Sequence, residues 1–278
     1  MRYSGFMSDS TYVHGYSDRE SVRLSDQATT LADLLHHDTV YPAGSRVLEC
    51  GCGTGAQTGF LAELSPGANI VSVDVDPDSL ARAMRRIGEA GHRNVAFQVA
   101  DLFHLPVEDG WFDHVFVCFV LEHLSRPLDA LRSLSRVLRE GGSINVIEGD
   151  HGSWQCHPQS AAASRAVQCL IEVQARLGGD SRIGRRLFPL LVEAGFRQVR
   201  VSPRMVYVDS SRPELVEGFS KNTFIAMVEG VREQALALGL TDVHSWDRGI
   251  ADLYRATEAD GTFCYTFFKG VGVKGSMG

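Results

Sequence analysis

Short apolar runs alternate with amphipathic stretches along the first half of the chain. The apolar runs predict strands at residues 46–49, 69–73, 95–99, 114–119 and 143–148. Helical periodicity follows at 56–64, and in a stretch that Asp76 and Pro77 open and Gly91 closes. Strands that alternate with helices predict an α/β fold, with a doubly wound, mostly parallel sheet whose ligand binds at the carboxyl ends of the strands.

The pattern changes beyond Asp150. Helices are predicted at residues 161–177, 183–194, 213–238 and 243–258, and strands at 198–208 and 262–269. These helices exceed what a minimal sheet of this kind needs, so we expect a helical lid over a substrate. At the other end of the chain, Ser17 to Glu20 form a capping-box signature that opens an amphipathic helix running to Leu35.

A glycine-rich turn, in the run VLECGCGTG over residues 47–55, follows the first strand. Gly51, Gly53 and Gly55 remove every Cβ where the turn bends and where a nucleotide-like ligand would lie against the main chain. Asp74 ends the next strand about 20 residues on, the position from which a carboxylate reaches a ribose. A dinucleotide and a sulfonium cofactor both fit this pattern, whereas Glu49 before the turn favours a cationic ligand.

Four segments in this order resemble the class I S-adenosylmethionine-dependent methyltransferases. They are VLECGCGTG, SVDVDPDSL, Asp101 after the third strand, and FDHVFVCFVLEHLSRPLDALRSLSRVLREGG, and they cover roughly residues 12–150. The VLEHL block is most similar to the small-molecule group of that family. The resemblance implies a Rossmann-like sheet of seven strands, with the seventh antiparallel, and S-adenosylmethionine as the cofactor.

The resemblance also implies roles for individual residues. Glu49 and the three glycines would surround the methionine moiety, and Asp74 would hold the ribose hydroxyls. Val75 would lie on the adenine, Asp101 would accept from its exocyclic amine, and Cys118 to Val120 would line the route to the methyl group. The predicted cofactor contacts are Tyr16, Glu49, Gly51, Gly53, Gly55, Asp74, Val75, Asp101, Leu102, Cys118 and Phe119.

An aromatic cluster at 12–16 precedes the first helix. In related methyltransferases such an arm closes over the cofactor, although a hydrophobic staple for the helix explains the cluster nearly as well. The arm could also cross to a second copy of the chain and make a homo-oligomer. We therefore divide the chain into an N-terminal arm and helix (1–40), a cofactor-binding core (41–150), and the remaining core strands with an inserted substrate lid (151–278).

Methyl transfer from a sulfonium is a direct displacement, so alignment of the reacting atoms matters more than acid or base catalysis. A hydroxyl acceptor would still gain from a base, and the candidate catalytic residues are His151 and His157. Their alternatives are loop structure for His151 and a plain turn beside Pro158 for His157. The predicted substrate contacts are Tyr12, Tyr16, Trp154, Tyr207, Phe219 and Phe224, several of which could instead be packing residues.

Composition narrows the class of substrate. The net charge is -7, which argues against a nucleic-acid substrate because such binding relies on clustered Lys and Arg. No apolar run approaches the roughly 20 residues of a membrane span, and the first residues have no apolar signal region, so we expect a cytoplasmic protein. The six cysteines show no C-x-x-C spacing and are expected to be reduced, and no metal site is predicted.

The leading functional hypothesis is methylation of a small, largely apolar metabolite, plausibly in specialised biosynthesis, with oxygen, nitrogen or carbon as the acceptor. Two alternatives stay open at this point. One is an NAD(P)-dependent oxidoreductase, which shares the glycine turn and Asp74. The other is a protein that binds the cofactor without turning it over.

Overall fold

The computed structural model describes residues 30–275 of the chain. These residues form eight strands in one sheet. The strands are β1 (Arg46–Cys50), β2 (Asn69–Asp74), β3 (Val95–Val99), β4 (Phe112–Cys118), β5 (Leu138–Gly149), β6 (Gln155–His157), β7 (Phe196–Asp209) and β8 (Thr262–Lys274).

Helices fill the connections between the strands. They are α1 (residues 30–36), α2 (Thr58–Leu64), α3 (Pro77–Glu89), α4 (Pro127–Val137), α5 (Ala161–Arg176), α6 (Leu187–Glu193), α7 (Pro213–Leu215), α8 (Ala226–Gly230), α9 (Arg232–Ala237) and α10 (Val243–Arg255). A π-helix over Val216–Ile225 joins α7 to α8, and 3-10 helices lie at Leu102–His104, Leu121–His123 and Ile183–Arg186.

The strand order is β3-β2-β1-β4-β5-β8, with β7 on the far edge of β8. The first five strands of this series are parallel, and β8 is antiparallel to β5. The short β6 pairs with residues 262–264 of β8, and β5 pairs with residues 267–273. Both lie on the edge of β8 opposite β7, so β6 and β5 follow one another along that edge. The predicted seven-stranded, mostly parallel sheet is therefore confirmed, with β6 as an additional short strand.

Alternation along each strand separates two hydrophobic cores, one on each face of the sheet. On β1, Val47 belongs to the core beneath α1, α2 and α5, whereas Leu48 faces α4 and α6. Both side chains are buried. Because neighbouring side chains of a strand point to opposite faces, this division is what a doubly wound sheet requires.

The ribbon of β7 and β8 extends beyond the carboxyl edge of the parallel strands. Gly149, the last residue of β5, pairs with Phe267, so residues 262–266 of β8 project past the end of β5. They stay paired with residues 205–209 of β7. The projecting ribbon makes a wall beside the edge at which ligands bind in this class of fold.

Aromatic side chains cover the inner face of this wall. Phe263, Tyr265 and Phe267 alternate along β8 and are buried, and they meet Phe219 and Phe224 of the π-helix at ring-centroid separations of 4.9–5.9 Å. The π-helix thus packs on the wall through one aromatic cluster. That the helices inserted between β6 and β8 act as a lid stays a prediction.

Residues 213–238 do not form the single helix predicted from the sequence. They divide into α7, the π-helix, α8 and α9. The hydroxyl of Thr223 donates to the carbonyl of Gly218, five residues earlier, at 2.7 Å, which fits the wider π winding. A Cβ on Gly218 would collide with the side chain of Thr30, so the helix approaches α1 closely at this point. The apolar pattern could not show either contact.

Strands β5, β7 and β8 are longer than predicted, since backbone pairing continues through polar positions. Among the helices of residues 30–275, none is both long and apolar enough to cross a bilayer.

A buried cation ties the segment after α1 to β8. The ammonium of Lys269 is 2% exposed and donates to Asp38 and to Thr39, both at 2.6 Å. Burial lowers the pKa of Lys269, whereas Asp38 opposes this change. Asp38 is 45% exposed and also pairs with Arg204. The two partners of the ion pair therefore differ sharply in their contact with water.

This difference gives a stability prediction. Asp38→Ala leaves the buried ammonium without its carboxylate and should lower the free energy of unfolding by about 1–2 kcal/mol, a value reduced by the exposure of Asp38. Lys269→Met removes the buried charge, and Asp38 keeps Arg204 and water. Urea unfolding should give a higher free energy of unfolding for Lys269→Met than for Asp38→Ala. The reverse order would contradict this account of the pair.

Candidate functional site

The glycine turn lies between β1 and α2 with three glycines in left-handed backbone conformations. The φ angles are +71° at Gly51, +51° at Gly53 and +77° at Gly55. A Cβ on Gly51 would lie 2.5 Å from Val120 Cγ2, and one on Gly55 would lie 3.0 Å from the Cβ of Ala83 on α3. A Cβ on Gly53 would meet nothing within 4 Å. Two glycines therefore pack against protein, whereas Gly53 borders open space.

Asp74 closes this turn from the end of β2. Its Oδ2 accepts the backbone N–H of Gly53 at 2.8 Å, and its Oδ1 accepts that of Asp76 at 3.0 Å. Burial raises the pKa of Asp74, and both hydrogen bonds oppose the rise. A carboxylate has about four acceptor positions, so Asp74 keeps capacity for a pair of hydroxyl donors. The structure thus places Asp74 and Gly53 together, as the resemblance requires.

Glu49 lies behind the turn in a fully buried position. Its Oε2 accepts the hydroxyls of Ser72 at 2.6 Å and Thr58 at 2.7 Å, which link β2 and the first residue of α2 to β1. Burial raises the pKa of Glu49 to about 7, and the two hydroxyls oppose it. A positively charged ligand nearby would offset the effect of burial and favour the ionised form of Glu49.

The predicted adenine contacts lie further along the same edge. Val75 is 46% exposed and leaves an apolar surface for a flat ring. Leu102 is buried at the start of a 3-10 helix. Asp101 caps that helix, since its Oδ1 accepts the N–H of Phe103 at 2.9 Å and its Oδ2 lies 3.0 Å from His104 Nδ1. The adenine role of Asp101 stays a prediction.

The turn after β4 brings Cys118 and Phe119 towards the glycines. Phe119 has φ +58°, a conformation that costs a residue other than glycine roughly 1–2 kcal/mol. Val120, the next residue, touches Gly51. Burial raises the pKa of the Cys118 thiol well above its usual range, so the thiol stays neutral. The predicted cofactor residues from 49 to 119 thus converge on one edge of the sheet.

Of the two candidate catalytic histidines, only His151 lies at this edge. His151 is buried, and its Nδ1 lies 2.7 Å from the hydroxyl of Tyr265. His157 is exposed on β6 and pairs in register with Thr262, on the opposite face from Cys156 and Phe263. The structure therefore does not bring the two histidines together.

The hydroxyl of Tyr265 settles the hydrogen-bond direction at His151. Tyr265 is 1% exposed, its hydroxyl lies 2.7 Å from His151 Nδ1, and the backbone N–H of Asp150 also reaches the hydroxyl oxygen as a donor. A buried O–H needs an acceptor, so Tyr265 donates and the neutral ring carries its hydrogen on Nε2. Gly149 permits this geometry, because a Cβ there would collide with the hydroxyl oxygen.

The predicted substrate aromatics divide into two groups. Trp154, Phe219 and Phe224 belong to the aromatic cluster on the inner face of the wall, with Trp154 5.9 Å from Phe224 between ring centroids. Tyr207 is exposed and alternates with the buried Val206 and Val208, so it points away from that cluster. Tyr207 therefore cannot share a pocket with the other three. Tyr12 and Tyr16, together with the proposed oligomer contact of the arm, lie outside the described residues.

Sequence reasoning missed several residues that build the site. Ser72 and Thr58 hold Glu49, Tyr265 orients His151, and Glu148 holds the turn after β4. Only Glu148 left a signal, as an acidic residue directly after the apolar Val146 and Ile147 of its strand. In residues 30–275 no three His, Cys, Asp or Glu side chains lie together so as to hold a metal ion, and all six cysteines are free thiols.

Comparison with known proteins gives the site a family context. A family model described as a methyltransferase domain matches residues 48–146, the segment that contains the glycine turn, Asp74, Asp101 and the VLEHL block. The structure of the YcgJ protein from Bacillus subtilis superposes with a TM-score of 0.57 at 16% identity, over 90% of this chain and 99% of that one. At this identity the likeness concerns the fold alone.

Two curated relatives show similarity in sequence. An uncharacterised 37.1 kDa protein in transposon TN4556 of Streptomyces fradiae is 29% identical over 231 residues, 82% of this chain and 66% of that protein. The 27-O-demethylrifamycin SV methyltransferase of Amycolatopsis mediterranei is 33% identical over 132 residues, 47% of this chain and 48% of that protein. The chain spans less than two thirds of the length of either relative.

A matched pair of glycine variants tests where the cofactor lies. Gly53→Ala and Gly44→Ala both place an alanine at positive φ with nothing within 4 Å of the new Cβ, so both should lose about 1–2 kcal/mol of stability from backbone strain. Only Gly53→Ala projects a methyl group into the proposed cofactor site. Isothermal titration should show loss of S-adenosylmethionine binding in Gly53→Ala alone. Equal affinities in the two variants would place the cofactor elsewhere.

Glu49 predicts a pH dependence of cofactor binding. Since the pKa of Glu49 is raised to about 7, half of its carboxyl groups are protonated near neutral pH in the free protein. The positively charged cofactor should favour the ionised form, so its affinity should rise as pH increases from 6 towards 7 and level off above the raised pKa. The Glu49→Gln variant is the control, because titration of the cofactor itself affects both proteins equally. A wild-type profile parallel to that of Glu49→Gln would contradict the assignment.

Proposed function

The chain belongs to the class I S-adenosylmethionine-dependent methyltransferases, and from that premise we propose that it methylates a small, largely apolar metabolite. The arrangement at the glycine turn is the observation that supports S-adenosylmethionine as the methyl donor. Gly53 borders open space that a Cβ would fill, and Asp74, held against the turn, keeps free acceptor positions. These features fit a ribose-bearing cofactor, and the buried Glu49 fits its positive charge.

The cofactor supplies an electrophilic methyl group when bound. What the chain itself contributes is binding and orientation, since a direct displacement needs the acceptor aligned with the methyl and the sulfur. Gly53 would admit the cofactor to the main chain, Gly51 and Gly55 let the turn pack against Val120 and α3, and Asp74 would fix the ribose. The turn at Cys118 to Val120 lies between this pocket and the wall of β8 and would limit the direction from which an acceptor approaches.

On the acceptor side, we propose that His151 meets the substrate. It follows β5 directly, at the carboxyl edge of the sheet, and its ring packs edge-on against Phe224 at 6.3 Å between centroids. With hydrogen on Nε2, His151 is a donor that would hold an oxygen of the substrate and so orient the acceptor towards the methyl group. To act as a base instead, the ring needs the other tautomer, which requires the Tyr265 hydroxyl to turn away.

The wall favours an apolar substrate. Its inner face is aromatic, and the insertion that covers it packs through Phe219 and Phe224. The rifamycin relative acts, by its name, on 27-O-demethylrifamycin SV, which supports a small-molecule acceptor here. The acceptor atom, whether oxygen, nitrogen or carbon, is left open by these features, although a role for His151 favours an acceptor at or beside an oxygen.

The two alternative functions make different predictions from the same features. An NAD(P)-dependent oxidoreductase would place a pyrophosphate over the turn, where the buried carboxylate of Glu49 opposes negative charge. A protein that binds without turnover would need no group at the acceptor side, whereas His151 is oriented there by Tyr265. Both observations support methyl transfer over these alternatives.

A labelled-donor assay tests the proposal. The protein is incubated with S-adenosylmethionine labelled in its methyl group and with a panel of phenols, hydroxyquinones and macrolactams, and the label is followed by mass spectrometry. We expect transfer to at least one member. His151→Phe should lower kcat at least roughly tenfold, because the acceptor loses the hydrogen bond that orients it towards the methyl group.

His157→Phe is the matched control and should keep wild-type kcat, since His157 is exposed on the other face of β6. Binding of NADH in preference to S-adenosylmethionine would support the oxidoreductase. Tight binding of S-adenosylmethionine with no transfer to any acceptor would support the protein without turnover. Equal losses in the two histidine variants would remove His151 from the acceptor site.

A further inference from the structure

Glu148 is a fully buried acid at the carboxyl end of β5. Its Oε1 accepts the backbone N–H of Val120 at 3.0 Å and that of Leu121 at 2.7 Å. Its Oε2 is buried and has no hydrogen-bond partner among residues 30–275. A buried acid of this kind is unusual unless a specific contact requires it.

The two N–H groups belong to the strained turn after β4. Phe119 has φ +58°, and its N–H donates to the carbonyl of Ile147 at 2.9 Å, so β5 holds three consecutive residues of the turn. Without these bonds, nothing in the local sequence favours a left-handed Phe119. Glu148 supplies two of the three contacts that fix this conformation.

The same turn presses on the cofactor-binding glycines. A Cβ on Gly51 would lie only 2.5 Å from Cγ2 of Val120, so the side chain of Val120 packs directly against Gly51. The position of Val120 therefore limits the path of the glycine turn. A continuous series of contacts therefore leads from Glu148 through Val120 to Gly51. Glu148 itself does not reach the cofactor site, because it is 0% exposed beneath the turn.

The groups that face Glu148 favour its neutral form. Burial, and then the charge of Glu122 in the 3-10 helix after β4, raise the pKa of Glu148 well above its usual range. Burial raises the pKa of Cys118 on β4 and of Tyr265 on β8, and a negative charge on Glu148 would raise the pKa of both further. Asp150, two residues along, is already paired with Arg185. His123 lies beside Glu122, and His151 beside Tyr265.

We propose that Glu148 is a positioning residue that, as a neutral acid, holds the Phe119–Leu121 turn against Gly51 through Oε1, so that the turn stays shaped for the cofactor. The carbonyl-like Oε1 is the atom that the turn needs. The negative charge of an ionised carboxylate is not needed for this role. The inference rests on the proposed function only in that it takes S-adenosylmethionine as the ligand of the glycine turn.

Three variants of the full chain separate the acceptor atom from the size and the charge of the side chain. E148Q keeps the size and one oxygen acceptor, and E148L keeps the approximate size but leaves both N–H groups without an acceptor. E140L changes another glutamate of β5, at an exposed position. Circular dichroism at low temperature identifies the variants that are folded, and isothermal titration then gives the Kd for S-adenosylmethionine.

We expect E148Q and E140L to bind within roughly threefold of the wild type, and E148L to bind at least roughly tenfold more weakly, since the rescue by Gln depends on the oxygen acceptor. Wild-type affinity in folded E148L, or an E148Q as weak as E148L, would overturn the proposal. If the wild type itself fails to bind the cofactor, the proposed function fails instead, and the following measurement still tests Glu148.

The pH dependence of the stability of the wild type and E148Q tests whether Glu148 is neutral, even if E148L does not fold. A carboxyl whose pKa is raised in the folded state holds its proton there while the unfolded chain releases it, so the wild type should lose stability relative to E148Q as pH rises from about 4 to 7. The difference between their urea midpoints should shrink towards pH 4, below the usual glutamate pKa. A pH-independent difference, or one in which the wild type gains on E148Q with rising pH, would overturn the proposal.

Discussion

The hydrogen bond from the Gly53 N–H to the Asp74 carboxylate is the interaction on which the proposed cofactor site depends. It joins the turn after β1 to the end of β2, so one side chain fixes the backbone at the point that borders open space. Positive φ angles at three glycines make that turn possible, and the contacts of Gly51 and Gly55 with Val120 and α3 keep it in place. A short stretch of backbone is thus held from three neighbouring elements before any ligand arrives.

Carboxyl groups in different environments do different work along this edge. Asp74 is reached by two backbone N–H groups and keeps room for hydroxyl donors, whereas Glu49 is buried with two hydroxyls and has a pKa near 7. Glu148 is deeper still and meets only backbone N–H groups. Burial is the largest cause of the raised pKa in all three carboxyl groups, so burial does not distinguish them. Their roles differ because different hydrogen-bond donors contact their oxygens.

Much of the fold follows from local sequence. Period-two and period-3.6 patterns locate the parallel strands and α3, and the glycine turn with Asp74 locates the cofactor edge. What the sequence could not supply depends on distant pairing: Tyr265 and His151 are 114 residues apart, and Glu148 and Val120 are 28 apart. Strand register also decides that Tyr207 points away from Phe224. The π-helix and β6 arise from tertiary contacts that no periodicity marks.

The most direct test of this account is a crystal structure of the protein with S-adenosylhomocysteine, the product form of the cofactor. The account predicts that both ribose hydroxyls lie within hydrogen-bond distance of the Asp74 carboxylate, that the ligand lies against the main chain at Gly53, and that its sulfur faces the turn at Phe119. A ligand bound away from Asp74, or a glycine turn that must unfold to admit it, would contradict the central claim.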